Sequence, residues 1–370
     1  MRPSRAATAL RYERTPPPPR GPSGMMALMN AATTAPAKPF KLLVLGGTEF
    51  VGRAVTEQAL ARGWDVTVFH RGTHAPPPGV RALHGDRLGD LTALDAAVRD
   101  GATWDAVLDT WSGPPAAVRD AAELLARHAR RYVYVSSASV YAHPSPAGRG
   151  EDGALVEPGD EGYAHMKRGG EDAAVEAFGA DRTVLVRAGL ILGPGENIGR
   201  LPWWLNRVAR GGPVLAPGPR DLPIQFVDAR DLAAWMLDAA RDELSGPYNL
   251  VSPEGHATMG ELLESCVRAT GSATAELCWK EPELLLSYGV EPWLDLPVWV
   301  PPGEDHDAIH RTDVSKALAT GLRCRPVAET VADTWRWLSA LGGTAPQRSD
   351  RPVVGLDPEV EAKVLAAVLC

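Results

Sequence analysis

The sequence has no apolar run approaching the roughly 20 residues that a membrane-crossing helix needs. Basic charge is in deficit. Lys and Arg total 38 against 46 Asp and Glu, a formal net charge of -8 with a pI of about 5.6. Nucleic acids and polyanionic membranes are bound through cationic surface, so neither is an expected partner. Cysteine is scarce as well. Cys266, Cys278, Cys324 and Cys370 form no CxxC pair and no metal-like cluster, which predicts reduced thiols in a cytoplasmic protein and no metal site. Residues 1–38 lack both apolar periodicity and the continuous apolar stretch of a secretory signal, and four consecutive prolines run from Pro16 to Pro19. That segment is expected to be a disordered tail, or the product of a start codon placed too early, with Met25, Met26 and Met29 as alternative starts. No internal repeat is visible.

What is present, from residue 39 on, is a regular alternation of strand and helix. LLVL (42–45), DVTVFH (65–70), VRALHGD (80–86), DAVLDTW (105–111), YVYVSS (132–137) and RTVLVRA (182–188) read as buried strands. Helical spacing fills the gaps, as in Phe50, Val51, Val55, Ala59 and Leu60. Strands joined by helices of this length pair in parallel through right-handed crossovers, which predicts an α/β fold with a doubly wound sheet. Ligands of such sheets sit at the carboxyl ends of the strands. After residue 190 prolines punctuate a loop-rich segment, residues 228–242 look helical, and a short amphipathic helix over 356–369 follows a polar linker.

The first strand runs into Gly46, Gly47 and Gly52. Gly46 allows a tight turn, Gly52 lets the next helix pack close, and the helix N-terminus offers free N–H groups to a pyrophosphate. Glu49 stands where the middle glycine of such a turn usually lies. Its carboxylate is expected to turn aside or to pair with Arg53, four residues on. The second strand ends in His70-Arg71-Gly72 without the acid that holds ribose hydroxyls. Arg71 is suited to a 2′-phosphate, which favours NADP, with NAD as the alternative. Asp86 is placed for the adenine amino group, and Asp109 and Trp111 for the neighbourhood of the nicotinamide ribose. Trp111 reads equally well as core.

The strongest signal is YVYVSSASVYA (132–142) followed by YAHMK (163–167). Tyr163 and Lys167, four apart, project from one helix face. A lysine ammonium close to a phenol favours its ionised form, so the tyrosine can exchange a proton while hydride moves to or from a nicotinamide. Ser137 can hydrogen-bond the same substrate oxygen.

With these residues in place the sequence resembles the extended short-chain dehydrogenase/reductases, in their atypical, NAD-dependent epimerase/dehydratase-like branch, over residues 40 to about 340. LGGTEFVG is similar to the branch's glycine motif, SSASVY to its serine strand, YAHMK to its active-site motif, and IQFVDARDLA (224–233) to a later segment. The GGTxF form is similar to a subgroup that includes chloroplast stem-loop RNA-binding proteins. The resemblance implies a Rossmann domain over 39–190, with 226–245 returning to it. A smaller mixed α/β substrate domain is expected over 191–225 and 246–342, then a linker and C-terminal helix over 343–370. It implies catalytic Ser137, Tyr163 and Lys167, and cofactor contacts at Gly46, Gly47, Thr48, Phe50, Val51, Gly52, Arg71, Asp86, Arg87, Asp109, Thr110, Tyr163 and Lys167. Trp111, Ser139, Trp203 and Trp204 are the candidate substrate contacts; Trp293, Trp299 and Met236 add to an apolar cleft.

Departures from the family pattern bear on substrate. Ala138 and Ser139 replace the Asp-Glu pair of the dehydratases, Leu190 stands where epimerases carry Asn, and Ile224 where they carry a phosphate-binding Arg. The expected function is therefore an NAD(P)-dependent oxidoreductase of the carbonyl reductase or alcohol dehydrogenase type, acting on a non-nucleotide small molecule. The alternatives are an NAD(P)-dependent epimerase of a sugar or sugar-like substrate and, in another class, a dinucleotide-sensing or RNA-binding protein without catalysis. Family habit suggests a homodimer, and the abundance of Arg, Ala and Pro suggests a bacterial source.

Overall fold

The computed structural model of the chain describes residues 38–367. Residues 1–37 of the expected tail, the candidate start methionines and Cys370 lie outside the described residues. The chain opens with β1 (Lys41–Leu45), α1 (Phe50–Ala61), β2 (Asp65–His70), β3 (Arg81–His84), α2 (Thr92–Arg99), β4 (Trp104–Asp109), α3 (Ala116–Leu125) and β5 (Ala129–Ser137). It continues through α4 (Tyr163–Phe178), β6 (Thr183–Ala188), β7 (Ile191–Leu192), α5 (Arg200–Ala209), β8 (Pro213–Pro217), β9 (Pro223–Ile224), β10 (Val227–Asp228) and α6 (Ala229–Arg241). The later elements are β11 (Gly246–Leu250), β12 (Ala257–Thr258), α7 (Met259–Thr270), β13 (Glu276–Lys280), α8 (Pro282–Ser287), α9 (Glu304–His310), α10 (Ser315–Ala319), α11 (Val327–Ala340) and α12 (Pro358–Ala367).

Seven strands form one parallel sheet in the order β11-β6-β5-β4-β1-β2-β3. Side chains alternate across it with period two. Leu42 and Val44 face the layer holding α1 and α6; Leu43 and Leu45 face the layer holding α2, α3 and α4. Covering both faces is why these strands read as continuous apolar runs rather than alternating ones. Strand order reverses at β1, between β4 and β2, so a crevice opens beyond the carboxyl ends of β1 and β4. Leu45 pairs with Phe69 and Asp109, and Ser137 with Ala188. The register thus delivers Gly46, His70, Thr110 and Gly189 to the same edge.

A second apolar cluster joins α5, α7, α11, β8 and β13 around Trp204 and Trp299. Against the substrate domain expected from the sequence the structure differs in three places. Residues 246–250, assigned to the substrate half, are instead strand β11 of the main sheet, paired with β6. Ala317 of α10 and Leu322 likewise belong to the main core. The expected linker is no free connector. Asn206 Nδ2 donates to Gly343 O at 2.8 Å, Arg348 N to Asn197 O at 3.0 Å and Gly355 N to Leu294 O at 2.8 Å. Residues 343–355 form a strap that turns back over the mouth of the crevice. Helix α12 is then fixed by a buried pair, Arg207 Nε to both oxygens of Glu361 at 2.7 Å.

Among the described residues Cys266 and Cys324 are free thiols.

Candidate active site

Gly46 (φ 94°) turns the chain out of β1. A Cβ on Gly52 would lie 2.0 Å from Gly46 O, so only glycine lets α1 begin this close to the turn. Glu49 has ordinary extended backbone (φ -133°, ψ 154°), so its position does not require glycine. Its carboxylate stays on the cleft wall and does not pair with Arg53. Arg53 Nε pairs with Glu57 at 2.7 Å, and Glu49 lies 3.5 Å from His74 Nδ1. On this helix the outward geometry favours the next turn over the residue that caps the start. Phe50, at φ 35°, carries the strain of the turn.

From this turn a cleft of about 1090 Å³ runs across the strand ends to the smaller half. Gly46, Thr48, Phe50, Val51, Gly52, Arg71, Asp86, Arg87, Thr110, Trp111, Ser137, Ser139, Tyr163 and Lys167 all line it. The residues fit a bound dinucleotide. The turn is a cradle that side chains would fill, and at the end of β2 His70 Nε2 is buried with no hydrogen-bond partner.

Tyr163 and Lys167 occupy the first two turns of α4. Gly170 brings that helix against β5: a Cβ there would lie 2.3 Å from the Tyr134 hydroxyl. Lys167 is 3 % exposed and donates to Val135 O at 2.6 Å and to Trp111 O. Burial pushes its ammonium down to about 7. Asp109 and Glu171 oppose that shift, while Arg348 and Arg351 reinforce it. Ser137, at the end of β5, accepts from Ser139 N at 3.1 Å and meets Ser139 Oγ at 3.1 Å.

The strap adds residues that sequence reading missed. Gln347, Arg348, Asp350 and Arg351 line the cleft opposite Tyr163, as do Asn197 and Arg200, beside the expected Trp293. The Arg351 guanidinium lies 4.3 Å from the Tyr163 ring centroid. The segment Gln347-Arg348-Ser349-Asp350-Arg351 has no periodicity, so nothing local marked it; its only signal was two arginines in a short polar run.

The sequence profile of the NAD-dependent epimerase/dehydratase family matches residues 42–250, more than half of the chain. The chain belongs to that family. Membership makes it an NAD-dependent enzyme, and the proteins that it is similar to vary in role. The chain is 25 % identical over 260 residues to the chloroplast stem-loop binding protein of 41 kDa b of Arabidopsis thaliana, spanning 66 % of this chain and 66 % of that protein. It is 29 % identical over 254 residues to the epimerase family protein SDR39U1 of Bos taurus, covering 63 % of this chain and 80 % of that one. The fold matches the Bordetella bronchiseptica enzyme WbmH in complex with NAD+ (TM-score 0.61, 19 % identity, 82 % of this chain and 99 % of that one). It also matches the Thermus thermophilus UDP-glucose 4-epimerase complex with NAD (TM-score 0.56, 21 % identity, 81 % and 99 %).

Within this epimerase/dehydratase frame several expected contacts lie elsewhere. Asp109 is fully buried below the cleft. It takes Arg87 Nη1 and Nη2 at 2.8 Å and the Tyr132 hydroxyl at 2.5 Å. Arg87 keeps its carboxylate well below the usual range against the cost of burial. Asp109 and Arg87 thus satisfy each other, and a charge placed inside needs its partner there. Gly47 packs on Thr56 under the turn rather than lining the cleft. Trp204 is fully buried and donates Nε1–H to Pro297 O at 2.7 Å, and Trp203 packs on it edge to face. Trp299 and Met236 are also core. Large aromatics bury more area in a helical core than in a wet cleft. Only Trp111 and Trp293 of the expected aromatic set reach the site. Ile224 is fully buried, and nearby Arg220 turns away to Glu264 at 2.9 Å, so neither supplies a phosphate contact. No helix of the described residues is long and apolar enough to cross a membrane, and among them no group of His, Cys, Asp or Glu could hold a metal ion.

Proposed function

We propose that the chain transfers hydride between a nicotinamide dinucleotide and a hydroxyl- or carbonyl-bearing carbon of a non-nucleotide small molecule. Ser137, Tyr163 and Lys167 do the protein's share. The observation that carries this reading is their convergence in one cleft with the glycine turn, with the Lys167 ammonium buried behind Tyr163. The dinucleotide, when bound, supplies the site that gives or takes hydride. Gly46, Thr48, Phe50, Val51 and Gly52 would hold its phosphates, Asp86 its adenine and Thr110 its ribose. The Tyr163 hydroxyl exchanges a proton with the substrate oxygen. Two of the three N–H groups of Lys167 are anchored on backbone carbonyls, which fixes its charge in place and leaves one for a ribose hydroxyl. The Ser139 N–H fixes the Ser137 oxygen, so its hydroxyl can hold the substrate oxygen.

NADP is the preferred cofactor in this reading, because Arg71 is exposed at the cleft end of β2 and no acid stands beside it. A second reading, epimerisation of a sugar-like substrate, is favoured by the family match and uses the same residues. Net turnover of free NADPH or NADH separates the two, since epimerisation returns the hydride. The working environment is taken as cytoplasmic, the substrate as a small molecule, and a homodimer as the assembly.

The test of the triad is Tyr163→Phe. Turnover is expected to fall by about 10²–10⁴-fold with dinucleotide affinity held within about twofold. Parallel loss of both would make the tyrosine structural.

A further inference from the structure

Three guanidinium groups gather where Tyr163 faces the smaller half, and two of them have a buried Nε without a hydrogen-bond partner. Arg348 is satisfied: it donates to Asp350 at 2.9 and 2.6 Å and to Ser112 Oγ at 3.0 Å. That occupies both oxygens of Asp350. Arg351 Nε is 4.0 Å from Asp350, beyond hydrogen-bond distance, and is buried without a partner. Arg200, the first residue of α5, lies 5.1 Å over the Trp293 ring, and its Nε is also buried without a partner. The carboxylate beside it, Glu196, is used up on backbone, accepting from Arg200 N at 2.8 Å and Leu201 N at 3.2 Å. Burial holds Arg200 below its usual range, with the Glu196 charge opposing that shift and the Arg351 charge adding to it.

Two forked cations sharing one wall of a cleft, neither hydrogen-bonded to a carboxylate, make a site that an oxyanion would complete. The phosphates of a dinucleotide are not that anion. They belong at the glycine turn beside β1, and Arg71 lies at the end of β2, three strand spacings or about 14 Å across the sheet from Ser137. Arg351 instead covers the ring of Tyr163, where the reacting carbon must come.

We propose that Arg200 and Arg351 bind a carboxylate or phosphate carried by the substrate, so that the enzyme takes a small anionic molecule whose charged group sits beside the reacting carbon. The position of that carbon rests on the hydride-transfer reading above; the anion site itself does not. Half of it comes from the strap, outside the segment that the family profile covers.

Calorimetric titration of the full-length chain, without and with saturating NADP(H) or NAD(H), tests this with inorganic phosphate, glucuronate and neutral glucose. At least one of the two anions should bind about tenfold or more tightly than glucose, with affinity falling as salt rises. The better anion tells phosphate from carboxylate recognition. Arg351→Ala should weaken it about tenfold and leave dinucleotide affinity unchanged, and Arg200→Lys, which keeps the charge but loses the fork, should weaken it less. Equal binding of all three probes, or none, overturns the proposal. So does an Arg351→Ala variant that loses dinucleotide rather than anion. Failure of every dinucleotide to bind would refute the hydride-transfer reading while the anion titration still reports on this one.

Discussion

Lys167→Met in unfolding experiments across pH is the most direct probe of how the site is built. The lysine is sealed beneath Trp111 and Val135, and burial takes its ammonium from 10.5 to about 7. Holding it charged in the folded chain then costs up to about 5 kcal/mol. The folded pKa lies below the unfolded one, so folding expels a proton between pH 7 and 10.5. Stability therefore rises with pH through that window, by at most about 1.4 kcal/mol per pH unit, and this contribution is flat below it. Methionine fills much of the same space without a charge. Below pH 7 the variant should be more stable than a chain forced to bury an ammonium, less whatever the two carbonyl hydrogen bonds return. Above pH 7 the gap should close as the wild-type lysine goes neutral. Urea unfolding of both proteins from about pH 6.5 to 9.5 should show the difference changing by about 2–4 kcal/mol, with other titrations cancelling. Arg348 and Arg351 help to depress the lysine, so Arg351→Ala should move the window upward. Parallel stability curves for wild type and Lys167→Met would refute the argument, since they would mean that the ammonium is solvated or paired in the folded chain.

Other expectations follow from the same geometry. Arg71→Ala should weaken NADPH by about tenfold or more and NADH hardly at all, read by fluorescence titration; equal effects would remove the 2′-phosphate assignment. Gly52→Ala puts a methyl 2.0 Å from Gly46 O, so the turn must open. Stability should fall by about 1–3 kcal/mol and dinucleotide affinity with it, measured by thermal melting and calorimetry. Glu361→Ala leaves Arg207 buried and unpaired under α12 and should cost about 3–5 kcal/mol in urea unfolding, against much less for the double variant in which Arg207 becomes Met.

The signals that were legible in the sequence are those that repeat a local rule. A buried strand running into Gly46 and Gly52, a serine ending a strand, and a tyrosine and lysine one helical turn apart each depend on neighbours in the chain. The structure keeps them, even with Glu49 in the turn. The misreadings share a cause. Trp203 and Trp204 could line a cleft or fill a core, and only the packing of α5 on α7 decides for the core. Asp109 ends its strand where a ribose contact belongs, yet Arg87, 22 residues earlier, reaches it first and closes it off. Strand β11 was obscured by its glycine and proline, which suit an edge strand paired on one side only.

By itself the sequence determined the parallel sheet, the glycine turn and the one-turn spacing of Tyr163 and Lys167, because helix and strand periodicity place residues within one element and between adjacent ones. The tertiary structure alone decided what the site can recognise. Arg200 and Arg351 are 151 positions apart, and Tyr163 is farther still from the strap that covers it. Their meeting depends on how the smaller half packs and where the strap is pinned, which no local pattern encodes.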